Sequence, residues 1–269
     1  MHVYRWDLDR TYLDTDIDSV RSMIRHAFEP ASRKRCIPGA PALLRALIQA
    51  DGSARVAIVS GSPTQLRAVL EEKLALDGIR FDSLVLKDNL ANLRRGRLRA
   101  VKEQVGYKLP KLLRQRVGLG PAVRETLFGD DSEVDALVYA VYADAVAGRV
   151  GEDELARVME VAGAYDDAVQ EAVGALRQIE PTDAVEDIFI HAERGTPLRR
   201  FHLLGPRVVP VFSWFQAALI LWTRHRLPPA GVLDVARATV DDGGLSDQAM
   251  AGLVQDLVRR GLVTSGRGL

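Results

Sequence analysis

A single cysteine, Cys36, in 269 residues excludes an intramolecular disulfide and a cysteine-based zinc site, and it fits a reducing compartment. Net charge is absent as well. Thirty-six basic residues balance thirty-six acidic ones, so the strong positive field of a general nucleic-acid binder is missing and any electrostatic steering has to be local. No uninterrupted apolar run is long enough to span a bilayer, which takes roughly 20 residues. The longest stretch, 208–222, is broken by Pro210, Ser213 and Gln216. No charged-then-apolar leader precedes the first strand, and candidate catalytic residues begin at position 7, so no removable signal is expected. The five histidines, His2, His26, His191, His202 and His225, are too scattered for a metal cluster, and there is no internal repeat or low-complexity tract. The chain does have 47% hydrophobic and 27% charged residues, enough for one α/β core plus a smaller appended domain in a soluble, cytoplasmic protein.

Through about residue 150, compact apolar runs alternate with helical patterns, as expected for a parallel sheet wrapped by helices. Strands are expected at 3–6, 55–59, 83–86 and 125–128, with a last short one at 144–146. Amphipathic helices are expected at 19–28, 41–49, 64–76 and 109–117. From Gly151 the pattern reads as helical throughout: an acidic first turn at Glu152, Asp153 and Glu154, an apolar face from Leu155 to Ile179, then 183–193, 210–225 and 246–260. Residues 1–150 and 151–269 are therefore read as two domains, the second all-α. The end of the chain, 253–268, has the outline of a helix and wing but lacks the basic cluster that DNA reading requires.

The informative string is Asp7-Leu8-Asp9-Arg10-Thr11, directly after the first strand. A carboxylate on a strand's C-terminal lip can attack phosphorus, and a second one two residues later can move the proton. Phosphoryl transfer also needs donors for the phosphoryl oxygens, charge neutralisation and a divalent cation. Ser60 ends the second strand and can donate its hydroxyl, although Ser60 could also simply cap the helix that follows. Lys108 can neutralise the phosphoryl group, in competition with Lys102 and Lys111. Gly129-Asp130-Asp131-Ser132-Glu133-Val134-Asp135, after the fourth strand, supplies carboxylates for the metal. Mg²⁺ is the expected ion because it prefers oxygen ligands. The metal candidates are Asp7, Asp9 (through its main-chain carbonyl), Asp130, Asp131 and Asp135, the last two directly, through water or by orienting Lys108. Arg10, Thr11 and Gly61 are substrate-contact candidates. Open α/β sheets bind ligands beyond their strand C-termini, where these distant residues can converge.

The ordered set D-x-D-x-T, strand-terminal Ser, Lys, then G-D-x-x-x-x-D resembles the haloacid dehalogenase (HAD) superfamily of Mg²⁺-dependent phosphatases over residues 1–150. That resemblance implies a Rossmann-like parallel sheet, an aspartyl-phosphate on Asp7 and minimal caps. More narrowly, Asp7-Leu8-Asp9-Arg10-Thr11, the stretch from Val59 to Leu66, Tyr107-Lys108-Leu109 and the stretch from Leu127 to Asp135 are similar to the catalytic-domain family typified by the actin-patch-associated phosphatidate phosphatase. The chain departs from that pattern at Arg10, where an acidic residue is usual, and at Asp130-Asp131-Ser132-Glu133, where Asp-Ser-Gly-Gln is usual.

The segments that would overhang the site, 12–55 and 88–107, are short and basic, with Arg33-Lys34-Arg35 in one and Arg94, Arg95, Arg97, Arg99 and Lys102 in the other. Such charge either attracts an anionic, large or lipid substrate or forms a solvated face. Asp14 and Asp16 are read as helix-capping residues. Phe212, Trp214, Phe215 and Trp222 are core candidates first and peripheral membrane anchors second. The resulting reading is a Mg²⁺-dependent phosphomonoester hydrolase. Its rivals are a phosphotransferase of the same type and a non-catalytic module that keeps the metal and phosphate pocket for binding.

Overall fold

Six parallel strands form one sheet in the order β3-β2-β1-β4-β5-β6, in a computed structural model that describes residues 1–15, 29–88, 104–131 and 134–264. They are β1 (His2–Trp6), β2 (Arg55–Pro63), β3 (Ser83–Lys87), β4 (Arg124–Asp130), β5 (Val185–His191) and β6 (Val208–Val211). Among the described residues the helices are α1 (Ala40–Ala50), α2 (Arg67–Leu76), α3 (Val105–Arg116), α4 (Asp135–Val146), α5 (Glu152–Val161), α6 (Asp166–Leu176), α7 (Arg199–His202), α8 (Trp214–Thr223), α9 (Pro229–Gly243) and α10 (Asp247–Arg259). The α/β class with a parallel, Rossmann-like sheet is as the sequence suggests.

The sheet alternation sorts the helices into two layers. On β1, Tyr4 and Trp6 face a core made with Leu43, Leu44 and Leu47 of α1, the buried side of α8, Val235 of α9 and Leu257 of α10. Arg5 and Asp7 face the other layer, where Leu109, Leu112 and Leu113 of α3 pack with Val138 and Tyr142 of α4 and with α5 and α6. Trp6, Phe128 and Phe189 are register neighbours on β1, β4 and β5, and they stack with ring centroids 4.2 and 5.5 Å apart. This aromatic row ends β1 and lies two residues before the ends of β4 and β5. Gly39 starts α1 in the left-handed region at φ 81°, and a Cβ there would come within 2.6 Å of Thr239 Oγ1, so the contact between α1 and α9 requires glycine.

Three segments differ from their sequence pattern. The stretch 183–193 reads as helical but contains β5, and 210–225 begins inside β6 before turning into α8. In β5 the acids Glu186 and Asp187 interrupt the apolar run that marks a buried strand. Arg226 meets Glu186 in a two-point pair at 3.0 and 2.5 Å, and Arg224 pairs with the buried Asp187. Pro210 is tolerated because β6 lies at the edge of the sheet. The short strand expected at 144–146 is instead the last turn of α4, a helix buried on most of its surface. The apolar face from Leu155 to Ile179 is divided between α5 and α6, with Gly163 at φ 82° in the turn. The helix expected at 19–28, Asp16, the basic residues Arg94, Arg95, Arg97, Arg99 and Lys102, Ser132 and Glu133, and the wing at 265–268 lie outside the described residues.

From β1 the chain moves to β2 and β3 on one side, then crosses to β4 on the other. The C-terminal ends of β1 and β4 therefore flank the topological switch point, where open α/β sheets bind ligands.

Candidate active site

β1 runs straight into the loop that carries the two N-terminal acids. The Asp7 N–H donates to the Phe128 carbonyl at 3.0 Å, and the Leu8 carbonyl accepts from the N–H groups of Tyr12 and Leu13 at 2.9 and 2.8 Å. The tight turn puts Arg10 at φ 58°, a left-handed conformation that costs a non-glycine residue about 1 kcal/mol. The turn is held from the opposite layer by the Trp214 indole, which donates to the Thr11 carbonyl at 2.9 Å. Trp214 in turn packs on Trp6, Phe128 and His191 at centroid distances of 5.3, 5.7 and 5.4 Å.

Asp7, Asp130 and Asp135 are all buried, and each offers a carboxylate oxygen within 4.8 Å of the others. Lys108, on the first turn of α3, reaches the same point, with its Nζ 3.0 Å from Asp7 Oδ1 and 2.5 Å from Asp135 Oδ1. The Thr11 hydroxyl lies between Asp7 Oδ2 and Asp130 Oδ2, at 3.3 and 3.5 Å. Gly129 lets Asp135 come this close: a Cβ there would fall 2.7 Å from Asp135 Oδ2 and 2.8 Å from the Tyr139 ring. Burial, reinforced by the Asp135 charge, pushes the Tyr139 phenol well above its usual range, so it stays neutral beside the acids.

Within this foursome, three carboxylates face one ammonium. Gathering three carboxylates at one buried point is unfavourable, and a divalent cation there offsets their mutual repulsion. The donors are all carboxylate oxygens on three separate elements, the set that a hard ion such as Mg²⁺ prefers. The residues present therefore fit that ion.

Asp9 belongs to a neighbouring polar group. Its Oδ2 accepts the Ser60 hydroxyl at 3.1 Å and the Ser62 hydroxyl at 2.7 Å, and Ser60 Oγ accepts the Ser62 N–H at 3.0 Å. These serines lie where the register between β2 and β3 is irregular, between Ser60 and Pro63. Lys34 is buried on this side of the site. Burial lowers its ammonium below the usual lysine range, against the opposing influence of Glu29 and Asp9. Gly61 lies against the Gln104 side chain.

The structure thus brings together Asp7, Asp130, Asp135, Lys108 and Thr11, with Asp9 and Ser60 in the adjoining network. Asp131 stands apart. Its carboxylate accepts backbone N–H groups of Glu193 and Arg194 on one oxygen, both at 3.0 Å, and of Thr196 on the other at 3.2 Å, fastening the loop after β5. Lys111 pairs with Glu171 at the surface, and Lys108 is the lysine of the cluster among the described residues. Asp14 is exposed. Trp214 and Phe215 are core, whereas Phe212 is 43% exposed. Sequence reasoning missed Ser62 and Trp214 as parts of the site and placed Lys34 only within a basic segment overhanging it. Ser62 had a signal, since it lies two residues beyond Ser60 on the same strand end; Trp214 had none.

The family model for the phosphatidate phosphatase APP1 catalytic domain matches residues 6–152, more than half of the chain. The matched span takes in Asp7, Asp9, Ser60, Lys108, Asp130 and Asp135 and ends before β5. No curated protein and no solved structure gives a significant match.

Proposed function

The chain belongs to the family of the phosphatidate phosphatase APP1 catalytic domain, and on that premise we propose that it hydrolyses phosphomonoesters through a phosphorylated Asp7. The observation that carries this reading is the convergence of Asp7, Asp130, Asp135 and Lys108 at the switch point of the sheet. Asp7 forms a bond to phosphorus as the bond to the leaving alcohol oxygen breaks. Asp9 gives that oxygen its proton, then takes one from the water that attacks phosphorus and returns Asp7 to a free carboxylate. Lys108 balances charge on the phosphoryl group and holds Asp7 in place through its contact at 3.0 Å. The Ser60 hydroxyl and the Gly61 N–H, at the end of β2, are the donors for phosphoryl oxygens. Mg²⁺ held by Asp7, Asp130 and Asp135 would supply further neutralisation of the phosphoryl oxygens.

The family's name makes lipid phosphates the first substrates to test, and no described helix is long and apolar enough to cross a membrane. The experiment is turnover of p-nitrophenyl phosphate in the presence of Mg²⁺. Activity that disappears with EDTA and in Asp7→Asn supports the proposal. Activity that survives Asp7→Asn assigns the reaction to another nucleophile.

A further inference from the structure

Tyr12 follows Thr11 directly and is 1% exposed, and its side chain leaves the acid-bearing turn for a partner 65 residues away. The phenolic hydroxyl donates to Asp77 Oδ2 at 2.7 Å. Asp77 caps the C-terminal end of α2, and three further groups converge on it. The Cys36 thiol donates to the same oxygen at 3.3 Å, the Lys73 ammonium meets Oδ1 at 2.7 Å, and Arg45 of α1 donates to the Asp77 main-chain carbonyl at 2.6 Å. Burial, with Cys36 and Asp77 beside it, pushes the Tyr12 phenol well above its usual range, so the hydroxyl keeps its proton and stays a donor.

An acid at position 77 runs against local helix physics. Negative charge at a helix C-terminus opposes the macrodipole, and Lys73 four residues before Asp77 is the weaker order of an i,i+4 pair. A residue that breaks a local rule is expected to serve a contact made elsewhere. Here that contact is with the turn. Leu8 and Tyr12 bracket Asp9, Arg10 and Thr11: the Leu8 carbonyl accepts the Tyr12 N–H, and the Tyr12 carbonyl accepts the Ile37 N–H, both at 2.9 Å. The Tyr12 ring also meets Trp6 edge-on at a centroid distance of 6.3 Å. Inside the bracket, Arg10 sits in the left-handed region at φ 58°, and such a conformation persists only where its surroundings over-determine it.

Resting on the phosphatase reading above, we propose that Asp77 is a positioning residue: through the Tyr12 hydroxyl it holds the turn so that Asp9 stays aimed at the leaving oxygen. Trp214 grips the neighbouring Thr11 carbonyl, so two consecutive residues of the turn are tied to distant parts of the chain. A shift of about 1 Å in Asp9 is enough to slow proton transfer while leaving phosphate binding in place.

The test compares phenyl phosphate with p-nitrophenyl phosphate, whose better leaving group needs less proton donation, on the full chain with Mg²⁺. Tyr12→Phe is expected to lower kcat/KM for phenyl phosphate by about tenfold or more, and less for p-nitrophenyl phosphate. Asp77→Ala should lose as much, the double variant no more than either, and Asp77→Asn, whose amide oxygen still accepts the phenol, should recover most of the loss. Lys73→Met, which strips the other Asp77 oxygen, should stay within about twofold of the unsubstituted protein. Full kcat/KM in Tyr12→Phe, equal losses for both esters, losses that multiply in the double variant, or an equal loss in Lys73→Met overturns the assignment. If the unsubstituted chain hydrolyses neither ester, the phosphatase reading fails, and amide hydrogen exchange at Arg10, Tyr12 and Leu13 decides the positioning role. Exchange about tenfold faster in Tyr12→Phe than in Lys73→Met supports it, and equal rates overturn it.

Discussion

Arg5 on β1 and Asp7, the first residue beyond it, each enter a buried charge cluster completed by β4, α3 and α4. Above, Asp7 meets Asp130 of β4, Lys108 of α3 and Asp135 of α4. Below, Arg5 of β1 meets Glu125 of β4, Arg116 of α3 and Tyr142 of α4. Lys108 and Arg116 are about 12 Å apart along their helix at 1.5 Å per residue. The lower cluster is closed. Arg5 approaches both Glu125 oxygens at 3.1 and 3.0 Å, Arg116 adds a contact at 3.2 Å, the Tyr142 hydroxyl adds one at 2.5 Å, and Gln115 accepts the remaining reach of Arg5 at 2.6 Å. Its charges find their partners within the protein. Among the described residues the upper cluster groups three carboxylates with Lys108, at the C-terminal edge of the sheet. The difference contrasts a clamp with the proposed reaction centre: the lower cluster joins strands and helices through opposite charges in direct contact, whereas the upper one gathers three carboxylates at the switch point, where open α/β sheets bind ligands.

The contrast can be broken at either end. The largest expected effect is on activity in Asp7→Asn, a loss of about 10⁴-fold or more with the melting temperature nearly unchanged, measured by turnover and thermal unfolding in parallel. Asp9→Asn should cut turnover by about 10²–10⁴-fold while Mg²⁺ affinity, measured by calorimetry, stays close to that of the unsubstituted protein. Equal losses in both would give Asp9 a metal role instead.

Glu125→Gln should show the opposite profile, costing about 3–5 kcal/mol in urea unfolding because two buried guanidiniums lose their shared carboxylate. Burial by itself would raise the Glu125 carboxyl, but Arg5, Tyr142 and Arg116 pull it below the usual range. Its stabilising contribution is therefore complete above the unfolded pKa of about 4.3 and is lost as pH falls through the lower folded value. The acid side of the stability profile should flatten in Glu125→Gln and keep its slope in Asp9→Asn. The smallest effect is expected for Trp214→Phe, which keeps the ring stack but removes the hydrogen bond to the Thr11 carbonyl. A loss of about 1 kcal/mol in stability and a several-fold fall in kcat with little change in KM would mark Trp214 as a positioning residue.

Much of the upper cluster and the Asp9 network beside it was legible from the chain because Asp7, Ser60 and Asp130 each follow a short apolar run and strand ends gather at one edge. The packing that decides among neighbours was not. Asp130 and Asp131 are adjacent, yet one enters the cluster and the other turns to the loop at 193–196, a choice made by β5. That strand was itself hidden, since Glu186 and Asp187 are tolerated only through Arg226 and Arg224, more than thirty residues downstream. The lower cluster was also unreadable, because Arg5 and Glu125 look like any exposed pair until β1 and β4 are placed side by side. Trp214 lies over 200 residues from the turn it holds, and nothing local to either segment announces the contact.

The central claim is that Asp7 and its surrounding charges form a phosphoryl-transfer site. The most direct measurement is acid quenching during turnover of a phosphomonoester with Mg²⁺, followed by mass spectrometry of the peptide that contains residues 7–9. A phosphoryl adduct on Asp7, absent in Asp7→Asn and accumulating in Asp9→Asn if dephosphorylation limits that variant, is the predicted result. Steady turnover with the adduct on another side chain, or with rapid-quench samples free of any adduct, would contradict it.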